Sequence, residues 1–140
     1  MKPILLVEDS QDDELLVIRT LKKNHIANEI LVARDGAEAL DYLFGQGTRL
    51  GHAPLDPQVV LLDLKLPKLS GLDVLREIRK DPRIRLVPVV VLTSSDEDGD
   101  VEESYRLGAN SYVKKPVAFP EFSEAIRNVG LYWMVINRPA

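Results

Sequence analysis

Glu8-Asp9, Asp63, Thr93 and Lys115 each stand at the end of a short apolar run: Ile4-Leu5-Leu6-Val7, Val59-Val60-Leu61-Leu62, Val87-Pro88-Val89-Val90-Val91-Leu92 and Ser111-Tyr112-Val113-Lys114. If the runs are parallel strands of one sheet, three carboxylates, a hydroxyl and an ammonium converge at the edge where open α/β folds place their ligands. Such a set suits cation binding and phosphoryl transfer. Asp63 is the candidate nucleophile, because a carboxylate can attack a phosphoryl group and carry it as a mixed anhydride if the repulsion between incoming phosphate and nearby acids is offset. A hard divalent ion offsets it. Mg²⁺ takes one or two carboxylates plus waters and phosphate oxygens, which suits Asp9 and Asp63 as direct ligands, Glu8 through water and the backbone carbonyl of Lys65 as a further ligand. Lys115 and the Thr93 hydroxyl would then face the phosphoryl oxygens opposite the metal.

Each residue taken alone also has a plainer reading. Acids at strand ends often cap the following helix, and Asp9-Ser10 sits where an N-cap belongs. Lys115 alone reads as a surface lysine, and Thr93 as a turn cap ahead of Asp96. The ordered set of acid pair, acid, hydroxyl and lysine-proline, each at a strand end, favours the chemical reading over these.

The elements that would position this set follow from periodicity. Aliphatic runs at 4–7, 29–33, 59–62, 87–92 and 111–114 alternate with helical spacing at about 11–24, 36–44, 71–80, 99–108 and 118–136. Asn24, Gly45, Asp81-Pro82 and Gly108 supply stop signals for the first four helices. Strands apolar throughout expect cover on both faces, so five β-α units predict a doubly wound five-stranded parallel sheet with flanking helices. The stretch from Gly45 to Pro57, with three glycines and two prolines, is expected to loop out before the third strand.

Composition narrows the classes. The chain has 140 residues, 45% hydrophobic and 29% charged, which predicts one domain over 1–140 without room for an output domain. A net charge of −4 gives no diffuse basic field and argues against direct nucleic-acid binding. With no cysteine and two histidines, thiolate and histidine-based metal sites lack ligands. The N-terminus enters an apolar run at once, without a charged leader or long apolar segment, so the expectation is a cytoplasmic protein with no membrane attachment.

Leu6-Val7-Glu8-Asp9, Leu62-Asp63-Leu64-Lys65-Leu66-Pro67 with Ser70-Gly71, Leu92-Thr93-Ser94 and Lys114-Lys115-Pro116 resemble the receiver domain of two-component response regulators, over about residues 3–130. The resemblance implies a flavodoxin-like fold, phosphotransfer from a histidine kinase to Asp63, and a Mg²⁺ site at Glu8, Asp9 and Asp63. It also implies a switch in which Thr93 moves toward the phosphoryl group and Tyr112 turns inward after it. Lys65 and Ser95 would tune water access to the phosphoryl group, and the Lys115-Pro116 bond would be cis. Without the resemblance, Tyr112 reads equally as a half-buried strand residue with a wet hydroxyl.

At the C-terminus, Phe119, Phe122, Ile126, Val129, Trp133 and Ile136 recur at spacings of three and four, and their first half reads as a face packed on the core. Leu131 to Ile136 is apolar all round. A helix extension over about 130–140 is therefore expected to offer Tyr132, Trp133, Met134 and Ile136 to a partner, with a twofold homodimer favoured over a kinase or effector surface and over folding back. The loop at 45–57 and this tail resemble the stand-alone receivers associated with bacterial phytochromes, which implies a phytochrome-type sensor kinase as input.

Three other classes use similar parts. A haloacid-dehalogenase-type phosphotransferase would want a second acid two residues after Asp63, where Lys65 stands. A phosphorylation-independent adaptor with the same fold would be favoured by loss of Asp63 or Lys115, and both are present. A flavin-binding role would want a phosphate-cradling loop where Glu8-Asp9 stands.

Overall fold

The computed structural model describes Met1–Ala140. Strands β1 (Ile4–Val7), β2 (Ile30–Ala33), β3 (Val59–Leu62), β4 (Val89–Thr93) and β5 (Ser111–Lys114) alternate with helices α1 (Gln11–Lys23), α2 (Gly36–Phe44), α3 (Gly71–Lys80), α4 (Asp98–Arg106) and α5 (Phe119–Leu131). All pairings are parallel, in the order β2-β1-β3-β4-β5. Val7 lies beside Ala33 and Leu62, and Thr93 beside Lys114, so the chemical residues leave the sheet at one level.

Every residue of β1, β3 and β4 is buried, as expected of central strands covered on both faces. Alternation divides them. Leu5, Val7, Val60, Leu62, Val89 and Val91 face α2 and α3 through Ala39, Leu43, Val74, Leu75 and Ile78. Ile4, Leu6, Val59, Leu61, Val90 and Leu92 face α1 and α5 through Leu16, Val17, Leu21, Phe122, Ile126 and Val129. Helices α1 and α5 cross closely at Gly130, where a Cβ would come within 2.6 Å of Leu21 Cδ2.

Several boundaries shift by one or two residues from the sequence expectation, α4 among them, and two differences have a clear physical cause. Strand β4 begins at Val89 rather than 87 because Pro88 has no N–H to donate to the ladder, although its carbonyl accepts from Val60 N at 2.9 Å. The last helix does not run unbroken to 136: α5 ends at Leu131 and widens into a π-helical turn over Tyr132–Ile136, closed by Asn137 N donating to Tyr132 O at 2.6 Å. That turn corrects the reading of the tail. Trp133 and Met134 pack on the α1/α5 core, because burial removes their apolar surface from water, while Tyr132, Val135 and Ile136 stay exposed. The Lys115-Pro116 bond is trans like every other peptide bond here, the isomer favoured by about 0.5–1 kcal/mol for X-Pro, so the cis expectation does not hold.

The 45–57 stretch is a fastened loop at the edge opposite the strand C-termini. Gly45 ends α2 in the left-handed region (φ 64°). Asp41 accepts from Thr48 N and Oγ1 at 3.2 and 2.9 Å, Arg49 lies over the Tyr42 ring at 4.6 Å, and Arg83 donates to the carbonyls of Leu43 and Leu55. No helix is long and apolar enough to cross a membrane.

Candidate functional site

The helices that follow β1 and β3 are capped by serines, which leaves the acids at those two strand ends free. Ser10 accepts from Asp13 N at 3.3 Å to cap α1, and Ser70 accepts from Asp73 N at 3.2 Å to cap α3. The alternative of Asp9 as a helix cap is thereby removed. Asp9 stands exposed, beside buried Glu8 (1% exposed) and Asp63 (6%). Asp63 owes its position partly to Gly71, where a Cβ would meet the Asp63 carbonyl oxygen at 2.2 Å, so α3 seats directly beneath the strand end.

Lys115 is no surface lysine. It is 8% exposed, and its Nζ donates to Glu8 Oε1 at 2.5 Å, Asp13 Oδ2 at 2.9 Å and Asp63 Oδ2 at 3.0 Å. Asp63 Oδ1 accepts the Lys65 N–H at 3.3 Å, which brings the Lys65 backbone beside the carboxylate. Three acids therefore surround one ammonium. Burial costs Glu8 hydration of its charged form and raises its pKa from 4.5 to about 7, against the opposing pull of Lys115. For Lys115 burial pulls downward, but the hydrogen bonds it donates to Glu8 and Asp13 outweigh it and the net shift is upward.

Carboxylate oxygens of Glu8, Asp9 and Asp63 lie within 4.8 Å of one another. An all-oxygen set with excess negative charge and one open side fits a hard divalent cation, which would also oppose the proton on Glu8. The sign of the pH effect follows. Because the folded state holds the Glu8 proton more tightly than the unfolded chain, stability present below pH 4.5 is lost as pH rises through about 7. We predict that the metal-free protein loses roughly 2–3 kcal/mol across that window relative to Glu8→Gln, measured as urea midpoints, and that saturating Mg²⁺ abolishes the loss. Parallel midpoint curves for the two proteins would refute the assignment.

Thr93 is fully buried, and its Oγ1 accepts from Ser95 N at 3.4 Å, a long local turn contact. Tyr112 is half-buried, its hydroxyl donating to Ser95 O at 2.7 Å rather than pointing into water, and burial raises its pKa. Both switch candidates thus converge on Ser95, whose Oγ donates to Asp100 Oδ2. Sequence reasoning missed Asp100 and Asp13. The signal for Asp13 was available: with Ser10 as N-cap, it falls in the first turn of α1, at the sheet edge that carries Lys115.

A five-stranded parallel sheet with an acidic cation cluster and a buried lysine at its strand C-termini defines a class of α/β signalling folds. The chain matches the response regulator receiver domain over residues 4–127, and it belongs to that family. Response regulator Rcp1 of Synechocystis sp. is 40% identical over 140 residues, covering 99% of this chain and 94% of that protein. A crystal structure of Rcp1 in its Mn(2+)-bound form has a TM-score of 0.93 at 37% identity, over 100% of this chain and 99% of that one. The phosphorylated cyanobacterial phytochrome response regulator RcpA has a TM-score of 0.91 at 34% identity, over 99% and 97% of the two chains. The bacteriophytochrome response regulator RtBRR is 49% identical with a TM-score of 0.78, over 100% and 84%. The expected flavodoxin-like receiver fold and the likeness to phytochrome-associated receivers are both borne out.

Proposed function

We propose that the protein is a single-domain response regulator, spanning 1–140, that accepts a phosphoryl group on Asp63 from a sensor histidine kinase. The observation that carries this reading is Lys115 held between Glu8 and Asp63 beside an open acidic face. An Asp63 oxygen attacks phosphorus, the N–P bond of the donor phosphohistidine breaks, and its electron pair returns to the imidazole. The products are an aspartyl phosphate and a free histidine. Lys115 donates to a phosphoryl oxygen in place of the Asp63 carboxylate, and Thr93, released from Ser95 N, donates to another. Glu8, Asp9, Asp63 and the Lys65 carbonyl would hold Mg²⁺, which when bound neutralises charge between the acids and the phosphoryl oxygens. The Mn(2+)-bound Rcp1 and phosphorylated RcpA relatives support both halves of this reading.

Phosphorylation draws Thr93 and its loop toward the site, and Tyr112 follows through Ser95. The face formed by α4, β5 and α5 is the readout. The protein acts on no other substrate, catalysing only its own phosphorylation and, by in-line attack of water, its dephosphorylation. The likeness to RcpA and RtBRR supports a phytochrome-type kinase as donor, and a cytoplasmic location is part of the same proposal. The test is intact-protein mass after incubation with acetyl phosphate and Mg²⁺. A gain of one phosphoryl group that needs the metal supports the reading; no gain in a folded protein moves it to a docking adaptor.

The C-terminal region is the proposed homodimer surface, since Tyr132, Val135 and Ile136 leave apolar area in water. Val135→Glu with Ile136→Glu, which spares the packed Trp133 and Met134, should shift the light-scattering mass from dimer to monomer. Equal masses for mutant and wild type would remove the tail as the interface.

A further inference from the structure

Lys115 has three N–H groups, and three carboxylates take them: Glu8, Asp13 and Asp63. Two of these partners, Glu8 and Asp63, belong to the cation cluster, and Asp13 does not. Asp13 reaches the lysine because of how α1 begins. An acid at the third helical position after a serine cap ordinarily turns back to accept the cap residue's own N–H. Here the Ser10 N–H is already taken by Glu8 Oε2 at 3.2 Å, so the Asp13 side chain is free to contact Lys115, 102 residues away in sequence. Its own amide stays on Ser10 Oγ, which fixes its backbone.

We infer that Asp13 is the positioning residue for Lys115 during phosphotransfer, an inference that rests on the function proposed above. A cation drawn into the cluster shares the charge of Glu8 and Asp63, and phosphorylation converts Asp63 into an acyl phosphate whose carboxyl oxygens no longer carry the full charge that held the ammonium. Asp13 is then the one full carboxylate that still holds Nζ. Without it, a compact charge on a flexible four-carbon stem has no fixed aim at the phosphoryl oxygen. Asp13 touches neither the reacting atoms nor the cation set, so it acts through Lys115.

The experiment compares wild type, Asp13→Ala and Asp13→Glu for phosphoryl uptake from acetyl phosphate at saturating Mg²⁺. It also measures the Mg²⁺ concentration for half-maximal uptake. Asp13→Ala should slow uptake about tenfold, the rate equivalent of one charge-assisted hydrogen bond, and Asp13→Glu, which keeps the charge, should stay within about threefold of wild type. A purely structural role would not be rescued in this way. The metal-free proteins are then treated with an amine-acetylating reagent, and modification is read by peptide mass. Lys115 should be modified several-fold faster in Asp13→Ala, while Lys114, paired with Asp96 at 2.7 Å, stays unchanged as internal control. Wild-type uptake with Asp13→Ala equally fast overturns the inference and leaves the proposed function intact, as does unchanged Lys115 labelling. No uptake by wild type defeats the proposed function itself.

Discussion

Asp63→Asn takes up no phosphoryl group from acetyl phosphate under conditions that label the wild type, a fall of at least about 10³-fold. The side chains are nearly isosteric, and Asn keeps a carbonyl oxygen able to accept the Lys65 N–H that Asp63 Oδ1 now takes at 3.3 Å. What is lost is the anionic oxygen that forms the P–O bond. Asp9 does not take over, because Lys115 donates to Glu8, Asp13 and Asp63 and none of its contacts orients Asp9. Fold stability changes little: one of three acids around a single ammonium becomes neutral, relieving like-charge repulsion while Lys115 keeps two carboxylate partners. A net change within about 1 kcal/mol is expected. Intact mass reads uptake, and fragment mass locates any residual label. Labelling of the mutant to wild-type level would take Asp63 out of the mechanism, and a label moved to Asp9 would show that the orienting argument from Lys115 is wrong.

The strand ends were legible because each obeys a local rule. Continuous aliphatic runs mark strands buried on both faces, and the residue that follows each run must leave the sheet at the same level. That placed Glu8, Asp9, Asp63, Thr93 and Lys115 together without any knowledge of long-range contacts. Contacts that depend on side-chain reach were not legible. Nothing in Ser10-Gln11-Asp12-Asp13 reveals that the cap's N–H is occupied by Glu8, the circumstance that turns Asp13 toward Lys115. The tail was half legible: its uniform apolar character showed that α5 alone does not bury it, but only the wide turn at Tyr132–Ile136 decides that Trp133 and Met134 go inward. The 45–57 loop reads as irregular because its order comes from side chains outside it, Asp41 and Tyr42 of α2 and Arg83 on the loop before β4. Tertiary contact decided each of these outcomes.

Arg79→Ala is expected to produce the largest loss of stability of any substitution outside the apolar core, with the site's chemistry left in place. Arg79, in the last turn of α3, is half-buried, and burial lowers its pKa from the usual guanidinium range. All five of its N–H donors are used. Nε donates to Gly108 O at 3.0 Å, Nη1 to Arg85 O at 2.9 Å and Val87 O at 2.7 Å, and Nη2 to Gly108 O at 2.7 Å and Asn110 Oδ1 at 3.0 Å. Asn110 in turn accepts from Val89 N at 2.8 Å, so one side chain ties α3 to the starts of β4 and β5. Truncation leaves several carbonyls without their charged donor and removes a stem that fills the space beside Gly108. The cost should be roughly 2–4 kcal/mol. For a chain of this size that lowers the melting temperature by about 10 °C. Arg79→Lys should recover little, since a compact ammonium with three donors cannot span four carbonyl and amide oxygens. Thermal denaturation followed by circular dichroism measures the shift. Thr93 and Lys115 leave β4 and β5 at the far ends from Arg79, so the folded mutant should still take up phosphoryl at low temperature. A mutant that melts with the wild type would show the clamp to be redundant, and one that stays folded yet cannot be labelled would show that the strand starts govern the placement of Lys115.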